Sequence, residues 1–115
     1  MGGLEQTQDF YRLYMVPGME HCGGGPGPNT IRGVPHSASL PVGAEDDVLD
    51  ALVKWVEDGV APQEIIVAKL TDTDPKKIVE TRPLCPYPQF AIYKGAGSAN
   101  DAANFVCNSG GNEYK

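Results

Sequence analysis

The chain has 115 residues, which fits one ordinary domain, but its fourteen Gly and ten Pro indicate long irregular stretches between few regular elements. A net charge of −6, with only nine Lys and Arg spread along the chain, argues against a surface for nucleic acid or for an anionic membrane. No apolar run approaches the roughly 20 residues that a bilayer crossing requires, and neither a transmembrane span nor a signal peptide is predicted.

The first predicted element is a buried strand over residues 9–16 (DFYRLYMV), which stops at a Pro-Gly pair. Residues 17–43 hold too many Gly and Pro for a helix or a central strand, so we predict one long loop there. Loops of that length are uncommon in compact domains and are often functional when they occur. His21 lies in this loop, five residues past the predicted strand.

An amphipathic helix is predicted over residues 46–58, with acidic residues at its start and Gly59 and Pro62 where a helix should stop. Its apolar side chains recur at three- and four-residue steps. They are Leu49, Leu52, Val53, Val56 and Val60. This stripe needs a sheet to cover it.

A hairpin is predicted next, from the β-rich runs at 64–70 (EIIVAKL) and 77–81 (KIVET) and the turn-forming residues 71–75 between them. Three prolines in PLCPYPQF then exclude a central strand. Beyond a short AIYKG run, we expect the tail to be an irregular cap.

Three cysteines, Cys22, Cys85 and Cys107, fit no zinc pattern. They could be three buried thiols. Alternatively, they could form one internal disulfide and leave one cysteine whose partner lies outside the chain, which would require an oxidising compartment. We favour the second interpretation.

The order of strand, loop with His21 and helix is the order that surrounds the histidine of α/β-hydrolases. Most loop histidines are solvated and inert, however, so this position alone does not identify a catalytic base. The serines lack the flanking glycines of a nucleophile elbow and are interpreted as turn residues. They are Ser37, Ser39, Ser98 and Ser109. Asp9 is a poor candidate for a triad acid.

The run FYRLYMVPGMEHCGGGPGPN closely resembles the pattern F-Y-R-[LF]-[FY]-M-V-P-G-M-x-H-C-x-G-G-x-G-P of the tannase/feruloyl esterase family. The similarity continues through DDVLDALVKWVEDGVAP, TRPLCPYPQFAIYKG and SANDAANFVC, and so covers nearly the whole chain. The resemblance implies that residues 1–115 are the C-terminal part of a single α/β-hydrolase domain, with no separate second domain. The nucleophilic serine and the triad aspartate would then lie upstream of Met1.

The resemblance also implies roles for individual residues. His21 would be the base of a Ser-Asp-His triad. Cys22 would be bonded to a cysteine directly before the absent nucleophilic serine, and Cys85 and Cys107 would form the C-terminal disulfide. Glu20 stands where the family often has a small residue, and we expect its side chain to point into solvent.

The implied function is that of a secreted carboxylic ester hydrolase acting on phenolic acid esters, feruloyl or galloyl. Its partners would be a small-molecule phenolic ester and the remainder of the catalytic domain, without nucleic acid, membrane, metal or cofactor in this segment. The segment by itself is expected to be inactive. Two alternatives stay open: a small secreted module that binds a partner or a carbohydrate, and a degenerate remnant of a truncated gene.

His36 and the glycines at 23–27, which also lie in the long loop, are interpreted as structural. His36, between Pro35 and Ser37, is expected to be a solvated surface residue. The glycines at 23–27 lack the Gly-Lys-Ser/Thr ending of a phosphate loop, and we expect them to let the backbone lie close beneath His21.

Overall fold

The computed structural model describes residues 2–21, 23–31, 47–73 and 75–109. The predictions for Cys22, His36, Ser37, Ser39 and the helix start at residue 46 fall outside these ranges. In chain order the elements are helix α1 (Leu4–Gln8), helix α2 (Val48–Asp58), strands β1 (Ile65–Leu70), β2 (Ile78–Leu84) and β3 (Phe90–Tyr93), a short 3-10 helix (Ala102–Asn104) and strand β4 (Phe105–Asn108). β1 pairs with β2 and β3 pairs with β4, each pair being antiparallel.

Helix α2 confirms the predicted amphipathic helix. It begins where the Asp47 carboxylate accepts hydrogen bonds from the backbone N–H groups of Leu49, at 2.9 Å, and Asp50, at 3.3 Å. It ends at Gly59, whose φ of 68° is the left-handed conformation that glycine adopts without steric cost. Its apolar stripe is exposed, from 43 % at Val53 to 75 % at Val56.

The hairpin of β1 and β2 is also confirmed, and it carries the core. Val67 is completely buried between Ile65 and Leu84, because alternate side chains of a strand point to the same face. β2 continues three residues beyond the predicted end, through Pro83. A proline is tolerated there because each strand of a two-stranded sheet has a free edge.

The predicted buried strand at 9–16 is wrong in this structure. α1 and a turn occupy residues 4–10, and pairing farther on is limited to a single bridge between Tyr14 and Pro86. The hydrogen bond beside this bridge runs from Tyr87 N to Leu13 O at 2.7 Å, so Pro86 stands at a position of the pairing that needs no N–H. The side chains still alternate as in a strand, since Tyr14 and Val16 pack on the hairpin core while Leu13 and Met15 are exposed.

The expectation of an irregular tail is wrong as well, because β3 and β4 form a regular antiparallel pair in register from Phe90↔Asn108 to Tyr93↔Phe105. The disulfide that the family resemblance implies is present between Cys85 and Cys107, whose Cα atoms lie 5.6 Å apart. It links the end of β2 to β4, and so ties the two sheets together. In the described part of the chain, no helix is long and apolar enough to cross a membrane.

Candidate active site

His21 lies near the tip of a loop that folds back on itself, which we call the histidine loop (residues 17–28). The backbone N–H of Gly27 donates to Gly18 O at 3.0 Å, and nearer the tip the N–H of Glu20 donates to Gly24 O at 3.4 Å. His21 and Glu20 are both exposed at this tip. His21 therefore lies at the surface of the loop and outside the hairpin core.

Glycines are required where the two arms of the histidine loop come close. A Cβ atom at Gly27 would lie 2.1 Å from Pro17 O, and one at Gly25 would lie 2.2 Å from Gly18 O. Both distances are far inside van der Waals contact, so a side chain at either position would push the arms apart. The glycines therefore allow the backbones of the two arms to lie in contact with each other.

Substitutions at two neighbouring glycines should separate backbone strain from this close contact. Gly24 and Gly25 have similar positive φ values, 77° and 85°. A Cβ atom at Gly24, however, would meet only the end of the Glu20 side chain, at 3.4 Å. We expect Gly24→Ala to lower the free energy of unfolding by about 1 kcal/mol and Gly25→Ala by about 2–3 kcal/mol in urea titrations. Equal losses would contradict the close contact at Gly25.

The segment that leads into the histidine loop is held by the carbonyl oxygen of Pro62. Arg12 Nη1 donates to this oxygen at 2.6 Å, and Tyr14 Oη donates to it at 2.7 Å. The Arg12 guanidinium also lies 5.5 Å from the centre of the half-buried Trp55 ring, which links the segment to α2. Burial raises the pKa of Tyr14, although Arg12 acts in the opposite direction, so the phenol stays protonated at neutral pH and keeps its donor.

The segment that leaves the histidine loop is held by β1. Thr30 and Ala68 exchange backbone hydrogen bonds, with Thr30 N donating to Ala68 O at 3.1 Å and Ala68 N donating to Thr30 O at 3.2 Å. Lys69 Nζ donates to Pro26 O. Thr30 is only 8 % exposed, so this attachment lies in the interior, and both ends of the loop are tied to regular structure.

The two ends of the histidine loop also line a cavity of about 610 Å³. One wall consists of residues 15–17 and 27–28, and the other comes from β2, β3 and Phe105. The polar side chains on that wall include Glu80 and Arg82, whose charged groups pair at 3.4 Å. Most of the other side chains that line the cavity are apolar, so the space beside the histidine loop is mainly apolar.

Of the predicted site residues, the structure brings together Cys85 and Cys107 and places His21 on an exposed tip. Ser98 and Ser109 are exposed, and Ser98 Oγ accepts a hydrogen bond from Asn100 N, which agrees with its interpretation as a turn residue. Among the residues that the structure describes, no three His, Cys, Asp or Glu side chains are placed to hold a metal ion.

The residues that hold the loop were not singled out from the sequence. They are Arg12, Tyr14, Asn29, Thr30 and Lys69. Arg12, Tyr14 and Asn29 lie within the run that carries the family resemblance, and that was the available signal.

Comparison with known proteins gives concordant matches. The profile described as tannase and feruloyl esterase matches residues 1–108. An uncharacterized esterase of Xanthomonas campestris pv. campestris is 50 % identical over 105 residues, which cover 90 % of this chain and 18 % of that protein. The mono(2-hydroxyethyl) terephthalate hydrolase of Piscinibacter sakaiensis is 45 % identical over 98 residues, which cover 85 % of this chain and 14 % of that protein.

A solved structure agrees with these matches. Feruloyl esterase B from Aspergillus oryzae superposes with a TM-score of 0.72 at 34 % identity, over 90 % of this chain and 20 % of that one. The chain thus spans about a fifth of the length of these relatives, or less. Since the family profile covers nearly all of its residues, the chain belongs to the tannase and feruloyl esterase family.

Proposed function

We propose that the chain is the histidine-bearing, C-terminal part of a carboxylic ester hydrolase domain of the α/β-hydrolase type, and that His21 is the base of its Ser-Asp-His triad. The main support is that His21 lies at the exposed tip of a loop that is closed by backbone hydrogen bonds and tied down at both ends. A base on such a loop can be held at a fixed place beside a nucleophile from another segment.

In this mechanism His21 accepts the proton of the serine hydroxyl while the serine oxygen attacks the ester carbonyl. The C–O bond to the alcohol then breaks, and the imidazolium returns the proton to the departing alkoxide. A water molecule repeats the sequence on the acyl-enzyme and releases the acid. The step requires the imidazole to lie about 2.6–3.2 Å from the hydroxyl oxygen, so its placement determines the rate.

Cys22 follows His21 directly, and we assign it a disulfide to the cysteine that precedes the nucleophilic serine. Such a bond would join the histidine loop covalently to the nucleophile segment. Secretion into an extracellular or periplasmic compartment is part of the same proposal. It is supported by the Cys85–Cys107 disulfide, because disulfides persist in oxidising compartments.

The remainder of the domain is proposed to pack on the apolar surface that this chain exposes. The α2 stripe contributes to that surface, with Leu49 59 % and Val56 75 % exposed, as do Phe10 at 66 % and Met15 at 63 %. Soluble monomers rarely expose apolar patches of this kind without a partner. We further propose phenolic acid esters, feruloyl or galloyl, as substrates, since one solved relative is named a feruloyl esterase.

The experiment is an ester hydrolysis assay with methyl ferulate and methyl gallate on two proteins, the full-length chain that carries these residues and the 115-residue segment alone. We expect hydrolysis by the full-length chain and none by the segment, because the segment lacks a nucleophile elbow. A full-length chain that has no Cys-Ser pair, or that hydrolyses neither ester, would contradict the proposal. Binding of a carbohydrate or a protein by the isolated segment would then favour the non-catalytic alternative.

A further inference from the structure

The side chain of Asn29 fills a place in the hydrogen-bonding pattern where the backbone lacks a donor. Thr30 and Ala68 form an antiparallel bridge. In such a pairing the next hydrogen-bonded pair, two residues along each segment, is Pro28 opposite Leu70. Proline has no N–H, so Pro28 cannot donate to Leu70 O.

The Asn29 amide makes the contacts that Pro28 cannot complete. Its Nδ2 donates to Leu70 O at 3.2 Å, and its Oδ1 accepts from Leu70 N at 2.9 Å. Thr30 Oγ1 donates to the same Oδ1 at 3.1 Å, which holds the amide in one orientation. A single side chain thus extends the attachment of the histidine loop to β1 by one hydrogen-bonded pair.

We propose that Asn29 is a positioning residue, which fixes the end of the histidine loop on β1 and thereby the place of His21. The inference rests on the proposed catalytic role of His21. Leu70 is 5 % exposed, so without the amide its backbone groups lose partners in a protected place, and the loop end next to Pro28 is held less firmly.

The consequence for catalysis follows from the short path between the two residues. Asn29 follows His21 by eight positions, and the hydrogen bond from Gly27 N to Gly18 O joins the two arms, so a shift at the loop base is passed on to the tip. A displacement of about 1 Å in a catalytic group can cost up to roughly 100-fold in rate.

The test compares Asn29→Ala with Asn104→Ala in the full-length esterase, with methyl ferulate or methyl gallate as substrate, whichever the unsubstituted enzyme hydrolyses faster. Asn104 is a matched control, because it is also half-buried and its Nδ2 donates to a backbone oxygen, that of Ser98, at 2.9 Å. We expect Asn29→Ala to lower kcat about tenfold with little change in KM, because the base is displaced while the substrate contacts remain. Asn104→Ala should leave both constants unchanged. A kcat within twofold of the unsubstituted enzyme for a folded Asn29→Ala variant would overturn the inference.

Two further variants separate positioning from a general loss of stability. In a His21→Ala background, Asn29→Ala should leave the residual rate unchanged, because its effect acts through the imidazole. A further tenfold loss there would overturn the inference. Asn29→Asp keeps the acceptor for Leu70 N and loses the donor to Leu70 O. Its kcat should therefore lie between that of Asn29→Ala and that of the unsubstituted enzyme. If Asn29→Ala does not fold, Asn29→Asp carries the test, and a kcat equal to that of the unsubstituted enzyme would count against the role.

The outcomes distinguish this inference from the proposed function. If His21→Ala retains full hydrolysis, the triad assignment fails and the role of Asn29 fails with it. If His21→Ala is inactive and Asn29→Ala is unimpaired, only the positioning role fails.

Discussion

Replacing His21 with alanine in the full-length esterase should lower kcat by at least about 1,000-fold, because no other group would accept the serine proton. KM should change little, since the imidazole contacts the reacting atoms and not the rest of the substrate. The fold should be retained, because the side chain is exposed at the loop tip and lies outside the hairpin core. Steady-state kinetics measure kcat and KM of both proteins, and their thermal unfolding midpoints show whether the fold is retained.

The matched control is His36→Ala, which removes the other histidine of the chain from a position interpreted as solvated. It should leave kcat and KM unchanged. A His21→Ala enzyme that keeps more than about a tenth of the original kcat would exclude His21 as the base, because removal of a triad member leaves only the contributions of the oxyanion hole and of substrate binding.

Removing the Cys85–Cys107 disulfide should lower the free energy of unfolding by about 3 kcal/mol, as expected for a bond that closes a loop of this length. The two cysteines are 22 positions apart, and the bond joins the hairpin to the β3–β4 pair. Noncovalent contacts also join the hairpin to the 3-10 helix and to β4. Ala102 N donates to Thr81 Oγ1 at 2.8 Å, and the Arg82 guanidinium lies 4.5 Å from the centre of the Phe105 ring.

The double variant Cys85→Ala/Cys107→Ala is the suitable protein, since it leaves no free thiol to form a wrong bond with Cys22. Urea titrations with Ser109→Ala as a surface control give the comparison, and the control should change stability by less than about 0.5 kcal/mol. A loss below about 1 kcal/mol in the double variant would mean that the two sheets stay attached without the bond.

Local patterns were sufficient to predict α2 and the hairpin. In α2 the three- and four-residue recurrence and the glycine at its end act within the helix itself. In the hairpin the turn-forming residues stand between two β-rich runs. The segment at 9–16 shows the opposite situation. Its residues favour a strand, but strand formation depends on which neighbour it can pair with, and Pro86 offers only one bridge.

The tail was mispredicted for a related reason. β3 and β4 have only four residues each, and small polar residues separate them. The sequence pattern therefore gave no sign that Phe90 pairs with Asn108. The family resemblance implied the Cys85–Cys107 disulfide, which the structure contains, and it is also the basis for the role of His21, which stays a prediction. The anchor at Asn29 could not be predicted, because its role depends on Pro28 standing opposite Leu70.

The two parts of the β1–β2 hairpin, its paired strands and the connection between them, differ in their tolerance for changes in length. The histidine loop is attached to β1 at Ala68 and Leu70, both of which come before the connection between β1 and β2. Residues added within that connection would leave these attachment points in place. One residue added between Ile65 and Ala68 would instead turn the core side chains outward and shift the attachment of the loop. Variation in length among homologous chains should therefore concentrate at the tip of the hairpin.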